Sequence, residues 1–282
     1  MDLKTLDACA VNALLPDRKP DSHKYDYGRL LLLCGSRGYT GAPEMAAMGA
    51  LRSGAGMVFL GVPESIYAVE AVKLTEPVVF SLPESNGCFS EDAIHEIMPR
   101  LTATDCVLIG CGMGKSSGTF SLVKSILANY SGPVILDADG INVLQEHTDL
   151  LRGRTGDTIV TPHAGEFKRL AGDGYTPCLE SAVQLSKELG IIILLKGHRS
   201  IVTDGYKTYI NQTGNPGMAV GGSGDILAGI LAALIGQGIA PLEATACAAW
   251  LHGKAGDICA SEIGQYGMIP TDLLHVLPRL LK

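Results

Sequence analysis

The sequence predicts an α/β fold in which helices cover both faces of a mostly parallel sheet. Three observations carry that expectation. Short, continuous apolar runs, the mark of strands buried on both faces, recur along the chain. Longer segments with helical periodicity lie between them. The 282 residues are 46% hydrophobic and only 18% charged, which excludes global disorder and supplies core enough for one large α/β domain, expected to span 1–282.

After a polar lead, RLLLLC at 29–34 is bounded by glycines and reads as the first core strand. A small-residue helix follows over 42–53, then a strand at 57–60, a helix at 64–72, a short strand around Val78 and a helix near 92–101. The next strand is 105–109. A helix at 116–128, a strand at 134–136, a short helix near 140–145 and a strand at 158–160 continue the alternation, with helices through Glu166 and Ala182 and a strand at 191–195 after them. Repeated βα units need right-handed crossovers, which place helices on both faces of a parallel sheet. The pattern changes where 200–203 and 207–210 flank Asp204-Gly205, a hairpin signal that sets an antiparallel pair at the sheet's edge. Apolar helices over 226–235 and 243–259 and a third helical segment fill the remainder, without linker, repeat or low-complexity tract.

Charge and cysteine usage exclude several function classes. With 22 Lys and Arg against 29 Asp and Glu the net charge is −7, so no overall basic field draws nucleic acid or an anionic membrane, and an anionic ligand has to be held locally. The first 21 residues mix charges without a signal-peptide apolar stretch, and the most apolar helix falls well short of the ~20 residues a bilayer requires, so a cytoplasmic protein is expected. The eight cysteines form no Cys-x-x-Cys pair, and several sit in apolar segments, as reduced core thiols do.

The strongest chemical signal is NQTGNPGMAVGGSGD at 211–225, which follows a strand and runs into the apolar helix ILAGILAALIG. Gly221, Gly222 and Gly224 remove side chains, so backbone N–H groups can converge on an anion at the positive end of that helix. Asp225 is unexpected there, because a bound phosphate repels a carboxylate. It suits a general base that takes a proton from a hydroxyl attacking a terminal phosphoryl group. The structural alternative makes Ser223 or Asp225 an ordinary helix N-cap.

Other candidates leave the carboxyl ends of strands, where open α/β sheets bind ligands. In TPHAGEF at 161–167, His163 and Glu166 are spaced to face one cleft, Glu166 toward the water shell of a Mg²⁺ ion and His163 toward substrate or phosphates. The alternative is a proline-started helix with Glu166 favouring its positive end. Lys196, Gly197, His198, Arg199 and Ser200 place a cation, flexible backbone and a hydroxyl after the strand at 191–195, as a phosphate clamp or as a solvated turn. Asp137 and Asp139 also end a strand; one serves metal or phosphate and the other caps the next helix, and the sequence does not say which. GCGMGKS at 110–116 fails the P-loop pattern, since Ile109 stands where a glycine is required, and fails the dinucleotide fingerprint at Lys115. What remains is a glycine turn suited to close approach near Gly112. A second such turn spans 35–43. Trp250 and His252 lie on an apolar helix and read as core or interface residues.

Taken in order, GSRGYTGAPEMAAMGALRSGAG, GCGMG, LDADGINVL, TPHAGEF, LLKGHRS and GNPGMAVGGSGDILAG resemble the ADP/ATP-dependent NAD(P)H-hydrate dehydratases, a branch of the ribokinase-like superfamily, over essentially the whole chain. GGSGD alone marks only the superfamily; the TGAP segment, TPHAGEF and the spacing to GGSGD are more specific. The resemblance implies a ribokinase-like three-layer α/β/α sandwich. It implies an enzyme that restores NADH or NADPH from the S-epimer hydrated at C6 of the nicotinamide ring, consuming ADP or ATP with Mg²⁺. ADP would be converted to AMP and phosphate, and stand-alone members favour it. The implied hydrate contacts are Ala42, Gly112, His163 and Asp225. The implied nucleotide contacts are Lys196, Gly197, His198, Arg199 and Ser200, with Gly222, Ser223 and Gly224 at the helix start. Two departures accompany it. Many members carry an N-terminal epimerase domain, so a separate epimerase is expected to serve this chain, and His163 stands where the wider superfamily often has Asn. A homo-oligomer, a tetramer by the same resemblance, is expected to use apolar helix faces near Trp250. The competing reading is a small-molecule kinase of the same fold acting on a vitamin-precursor alcohol.

Overall fold

The computed structural model describes residues 2–281. Twelve strands are found among them: β1 (Asp2–Lys4), β2 (Arg29–Leu33), β3 (Met57–Pro63), β4 (Val78–Leu82), β5 (Glu84–Ser85), β6 (Cys88–Phe89), β7 (Cys106–Ile109), β8 (Val134–Leu136), β9 (Thr158–Val160), β10 (Ile192–Leu195), β11 (Ile201–Thr203) and β12 (Lys207–Ile210). The α-helices are α1 (Ala8–Leu14), α2 (Gly41–Arg52), α3 (Glu64–Lys73), α4 (Ala93–Leu101), α5 (Ser117–Asn129), α6 (Asp139–Asn142), α7 (Ala164–Ala171), α8 (Leu179–Leu189), α9 (Ser223–Gly236), α10 (Pro241–Ile263) and α11 (Pro270–Leu280). Ten strands form one sheet in the order β1-β12-β11-β10-β9-β8-β7-β2-β3-β4. From β10 to β4 every neighbouring pair is parallel. The expected hairpin is β11–β12, with β11 antiparallel to both neighbours. Three strands were not expected: β5 and β6, which pair antiparallel with each other in a separate two-stranded sheet, and β1. β1 adds outside the hairpin, parallel to β12, so it and not the hairpin is the outermost strand on that side.

The pleat sends alternate residues to opposite faces, and the apolar runs fill both. Leu30, Leu32 and Cys34 of the β2 segment join a core with α2, α9, α10 and α11. Leu31 and Leu33 join the opposite core, with α4, α5, α7 and α8. These are the three layers that the sequence predicts. Within the first core α2 crosses α9 closely: a Cβ on Gly49 would lie 2.6 Å from the Ile226 carbonyl oxygen, and one on Gly229 would lie 2.1 Å from that of Ala46. Two glycines therefore set how near α9 comes to its neighbour, and with it where the start of α9 sits.

Among the described residues all eight cysteines are free, and five of them are buried, in line with reduced core thiols. No described helix is long and apolar enough to cross a membrane. Trp250 is 8% exposed and packs into the core of its own chain, one of the two places expected for it.

Candidate active site

The carboxyl ends of β7, β8, β9 and β10 point to the start of α9, and the groups between them are densely charged. Asp137, the residue after β8, is 2% exposed and takes a 2.8 Å ion pair from Lys196 Nζ, whose residue directly follows β10. The Thr161 hydroxyl, at the end of β9, donates to the same carboxylate oxygen. The Cys111 thiol, beyond β7, donates to its other oxygen at 3.7 Å. The parallel ladder extends one step further here: Lys196 N–H donates to the Pro162 carbonyl at 2.8 Å, and His163 pairs with Lys196. Parallel pairing thus carries residues far apart in sequence to one point at the sheet's edge.

Asp225 sits in the first turn of α9 above this cluster. The N-cap of α9 is Gly222, at φ +96°, and no side chain caps the helix, so neither Ser223 nor Asp225 has the capping role that was the structural alternative. Ser223 N–H is spent on the Val220 carbonyl at 3.3 Å. The N–H groups of Gly224 and Asp225 have no acceptor among the described residues, and they lie at the positive end of a buried helix. A Cβ on Gly224 would stand 3.3 Å from Lys196 Nζ, so the ammonium borders the same opening. Burial pushes the Asp225 carboxyl up to about 7, and the Asp137 charge adds to this, while Cys111 and Lys196 pull the other way. Burial opposes the Lys196 charge, but Asp137 and Glu166 outweigh it and hold that ammonium above the ordinary lysine value. The site therefore holds a fixed cation, a fixed anion and a carboxyl that titrates near neutrality, the pattern in which an acid–base residue is expected.

The other candidates fall into three groups. Gly112 and Ala42, both hydrate contacts by the resemblance, are neighbours: Gly112 has φ +63°, and a Cβ there would stand 2.8 Å from that of Ala42. The turn before α2 is held by Lys73, whose Nζ donates to the Thr40 carbonyl at 2.7 Å and pairs with Glu44 at 2.7 Å. His163 and Glu166 form a capping box on α7. His163 Nδ1 accepts from the N–H groups of Gly165 and Glu166, and Glu166 Oε2 accepts from His163 N–H at 2.9 Å. The helix-start alternative thus describes their local geometry, although Glu166, 5% exposed, still acts electrostatically on Lys196 and Asp225. Gly197, His198 and Arg199 are exposed, and the Ser200 hydroxyl bonds only to Gly197, so this turn touches none of the buried cluster.

The two aspartates differ in place. Asp137 lies in the buried cluster, whereas Asp139 is the first residue of α6 and its Oδ2 accepts from Gly114 N–H at 2.8 Å; the N-cap of α6 is Ala138 and no side chain caps it, so neither aspartate has the capping role that was expected of one of them. Sequence reading missed Cys111 and Thr161, and the signal that could have found them was their place within two residues of the ends of β7 and β9; His252, expected as a core or interface residue, is buried. Cys111, Asp137 and Asp225 bring their ligand-type atoms within 4.8 Å of one another. Hydrogen bonding with Cys34 and burial hold the Cys111 thiol well above its usual pKa, so a hard cation finds only carboxylate oxygens there. With Asp137 already paired to Lys196 and Asp225 the candidate proton acceptor, a Mg²⁺ ion there would keep most of its waters and take its direct ligands from phosphate, with Asp137 and Glu166 meeting it through water.

Comparison with known proteins decides the family. The family model described as NAD(P)H-hydrate dehydratase matches residues 30–279, which takes in every strand from β3 to β12 and the start of α9. The chain belongs to that family. A relative from Moorella thermoacetica, the bifunctional NAD(P)H-hydrate repair enzyme Nnr, is 42% identical over 286 residues, covering 99% of this chain and 54% of its own length. The chain spans about half the length of the bifunctional relatives it matches. A relative from Nitrosopumilus maritimus, an ADP-dependent (S)-NAD(P)H-hydrate dehydratase, is 33% identical and is matched over 98% of its length and all of this chain. The ADP/ATP-dependent NAD(P)H-hydrate dehydratase of Bacillus subtilis, co-crystallized with ATP and Mg²⁺, superposes with a TM-score of 0.82 at 27% identity, covering 99% of this chain and 98% of that one.

Proposed function

We propose that the chain dehydrates the S-epimer of C6-hydrated NADH or NADPH at the expense of ADP or ATP, with ADP the expected co-substrate and an epimerase activity supplying the S-epimer from the epimer of opposite configuration at C6. Family membership supports the reaction class. The observation that carries the proposal is Asp225: a carboxyl raised to about 7, capping nothing, beside unspent N–H groups and the Lys196 ammonium.

In this reading the Gly224 and Asp225 N–H groups bind the terminal phosphate, and Lys196 balances its charge. The C6 hydroxyl oxygen attacks the terminal phosphorus while Asp225 accepts the hydroxyl proton, and the nucleotide departs one phosphate shorter, as AMP when ADP is used. Hydroxide is a poor leaving group and phosphate a good one. The ring nitrogen lone pair then expels phosphate with the C6–O bonding electrons, and loss of a C5 proton restores the C5–C6 double bond. The hydrate lies toward Ala42, Gly112 and His163. Glu166 and Asp137 are the residues to hold the waters of a Mg²⁺ ion, which when bound offsets charge on the transferring phosphoryl group. His198, Arg199 and Ser200 lie where they flank the nucleotide's exposed part.

The test is incubation with hydrated NADH, Mg²⁺ and either nucleotide while the absorbance of the reduced nicotinamide is followed. Recovery that needs nucleotide, and that stops at the S-epimer until an epimerase is added, is the expected result. Accumulation of a stable phosphoester without recovery would assign a kinase instead, and no turnover from a folded protein would sink the proposal.

A further inference from the structure

His252 is buried in α10, 9% exposed, and no step above uses it. Its Nε2 lies 3.1 Å from the Ser223 hydroxyl. Ser223 is the first residue of α9 and, with its N–H spent on Val220, has only its hydroxyl to offer an anion. Which way that hydroxyl points its proton depends on the imidazole. If Nε2 accepts, the Ser223 proton is consumed by the histidine. If Nε2 carries hydrogen and donates, the hydroxyl oxygen is held in place and its own proton stays free for a phosphate oxygen. The Ser223 backbone also lies against the ring and favours a proton on it, but burial dominates and lowers the imidazole to about 4, so the ring is neutral and the choice is one of tautomer.

The rest of that α10 face is shaped to the same glycine segment. Asp257 accepts from Gly214 N–H at 3.0 Å and from Asn215 Nδ2 at 3.2 Å, and the Thr213 hydroxyl donates to the Trp250 carbonyl at 3.0 Å. A Cβ on Gly253 would stand 2.3 Å from Thr213 Oγ1, and one on Gly256 2.2 Å from Met218 Sδ. About two turns of α10 thus brace the chain from 213 to 223 as it enters α9.

We infer that His252 is a positioning residue for nucleotide phosphate recognition, its Nε2–H fixing the Ser223 hydroxyl so that the hydroxyl donates to the phosphate. This rests on the proposed nucleotide site but not on the identity of the hydrated acceptor. Direct binding of Mg²⁺·ADP and Mg²⁺·ATP, measured by calorimetry without hydrate, therefore tests it separately. His252→Phe keeps the volume and removes the donor, and nucleotide binding should weaken about tenfold or more, as loss of a hydrogen bond to a charged group does. Ser223→Ala should weaken it equally, and the double variant no further than Ser223→Ala alone, because both act through one bond. His252→Gln, whose amide can place an N–H near the Nε2 position, should recover most of the affinity. Should the phenyl ring prevent folding, as judged by melting temperature, His252→Leu carries the same expectation. Parental affinity in the folded Phe or Leu variant, or losses that add to that of Ser223→Ala, would overturn the inference. A parent protein that binds neither nucleotide overturns the proposed site itself, and the inference with it.

Discussion

Two glycine turns follow strands in this chain, and in sequence they resemble each other: 110–114 after β7 and 221–224 before α9. Structurally they differ in where their donors open. In the first, Gly110 N–H donates to the Leu33 carbonyl, Met113 N–H to Gly110 and Gly114 N–H to Asp139, and the N–H groups of Cys111 and Gly112, which have no acceptor among the described residues, stand at no helix start. In the second, the donors of Gly224 and Asp225 open at the start of a buried helix beside a lysine. Glycine count does not make an anion site; unspent N–H groups at a helix start do. The first turn is instead a tight surface, pressed on Ala42 and Tyr39, against which a flat ligand can rest.

The largest expected effect tests what the second turn adds beyond binding. Asp225→Asn keeps size and removes the proton acceptor, and general-base assistance is typically worth ~10²–10⁴-fold, so turnover should fall by about that factor. Nucleotide affinity should hold or tighten, because one negative charge beside the phosphates is gone. Steady-state kinetics alongside nucleotide calorimetry check both halves. Activity within about threefold of the parent would retire Asp225 as the base, since only a structural, hydrogen-bonding carboxylate tolerates Asn so well.

A smaller effect should separate the two turns directly. Gly224→Val puts a branched side chain between the open N–H groups and Lys196 Nζ, and nucleotide binding should weaken about tenfold or more, the worth of one charge-assisted bond. Gly112→Ala asks a residue at φ +63° to carry a Cβ that meets Ala42, a strain of about 1–2 kcal/mol or more. It should lower the melting temperature and raise KM for the hydrate while nucleotide affinity stays within about twofold, an order-of-magnitude margin for a site that makes no charged bond to the phosphate. If both variants damaged nucleotide binding alike, the contrast between the turns would be wrong.

That contrast also marks how far the sequence could be read. The parallel ladder was legible because strands buried on both faces need continuous apolar runs, and 29–34, 105–109 and 191–195 supply them. β1 was not, because Asp-Leu-Lys carries no such pattern and becomes a strand only by pairing with β12. The place of Asp225 behind glycines at the start of an apolar helix was legible from local sequence. The place of Asp137 in the buried cluster was not, since it depends on Lys196, 59 residues further along the chain. The capping box of His163 and Glu166 was readable from spacing, and the His252–Ser223 contact, 29 residues apart and between two helices, was not.

The smallest expected effect concerns pH, and it sharpens the view that the second turn carries an ill-placed charge for the sake of chemistry. Asp225 titrates near 7 in the folded chain and near 3.8 when exposed, so folding disfavours its ionised form. The sign follows from linkage: the group's contribution to stability is fully present below pH 3.8 and is lost as pH rises through about 7. Asn cannot ionise, so Asp225→Asn should melt at least as high as the parent at pH 8, by a few degrees more, and this advantage should shrink as pH falls toward 4. Activity should run the other way. The base must be ionised, so kcat/KM of the parent should climb about tenfold per pH unit below 7 and level off above it. Parallel melting curves and pH–rate profiles of the two proteins check the pair. A parent that outmelts Asp225→Asn at pH 8 would mean that the ionised carboxylate is well solvated or paired, and the case for a base tuned by burial would fail with it.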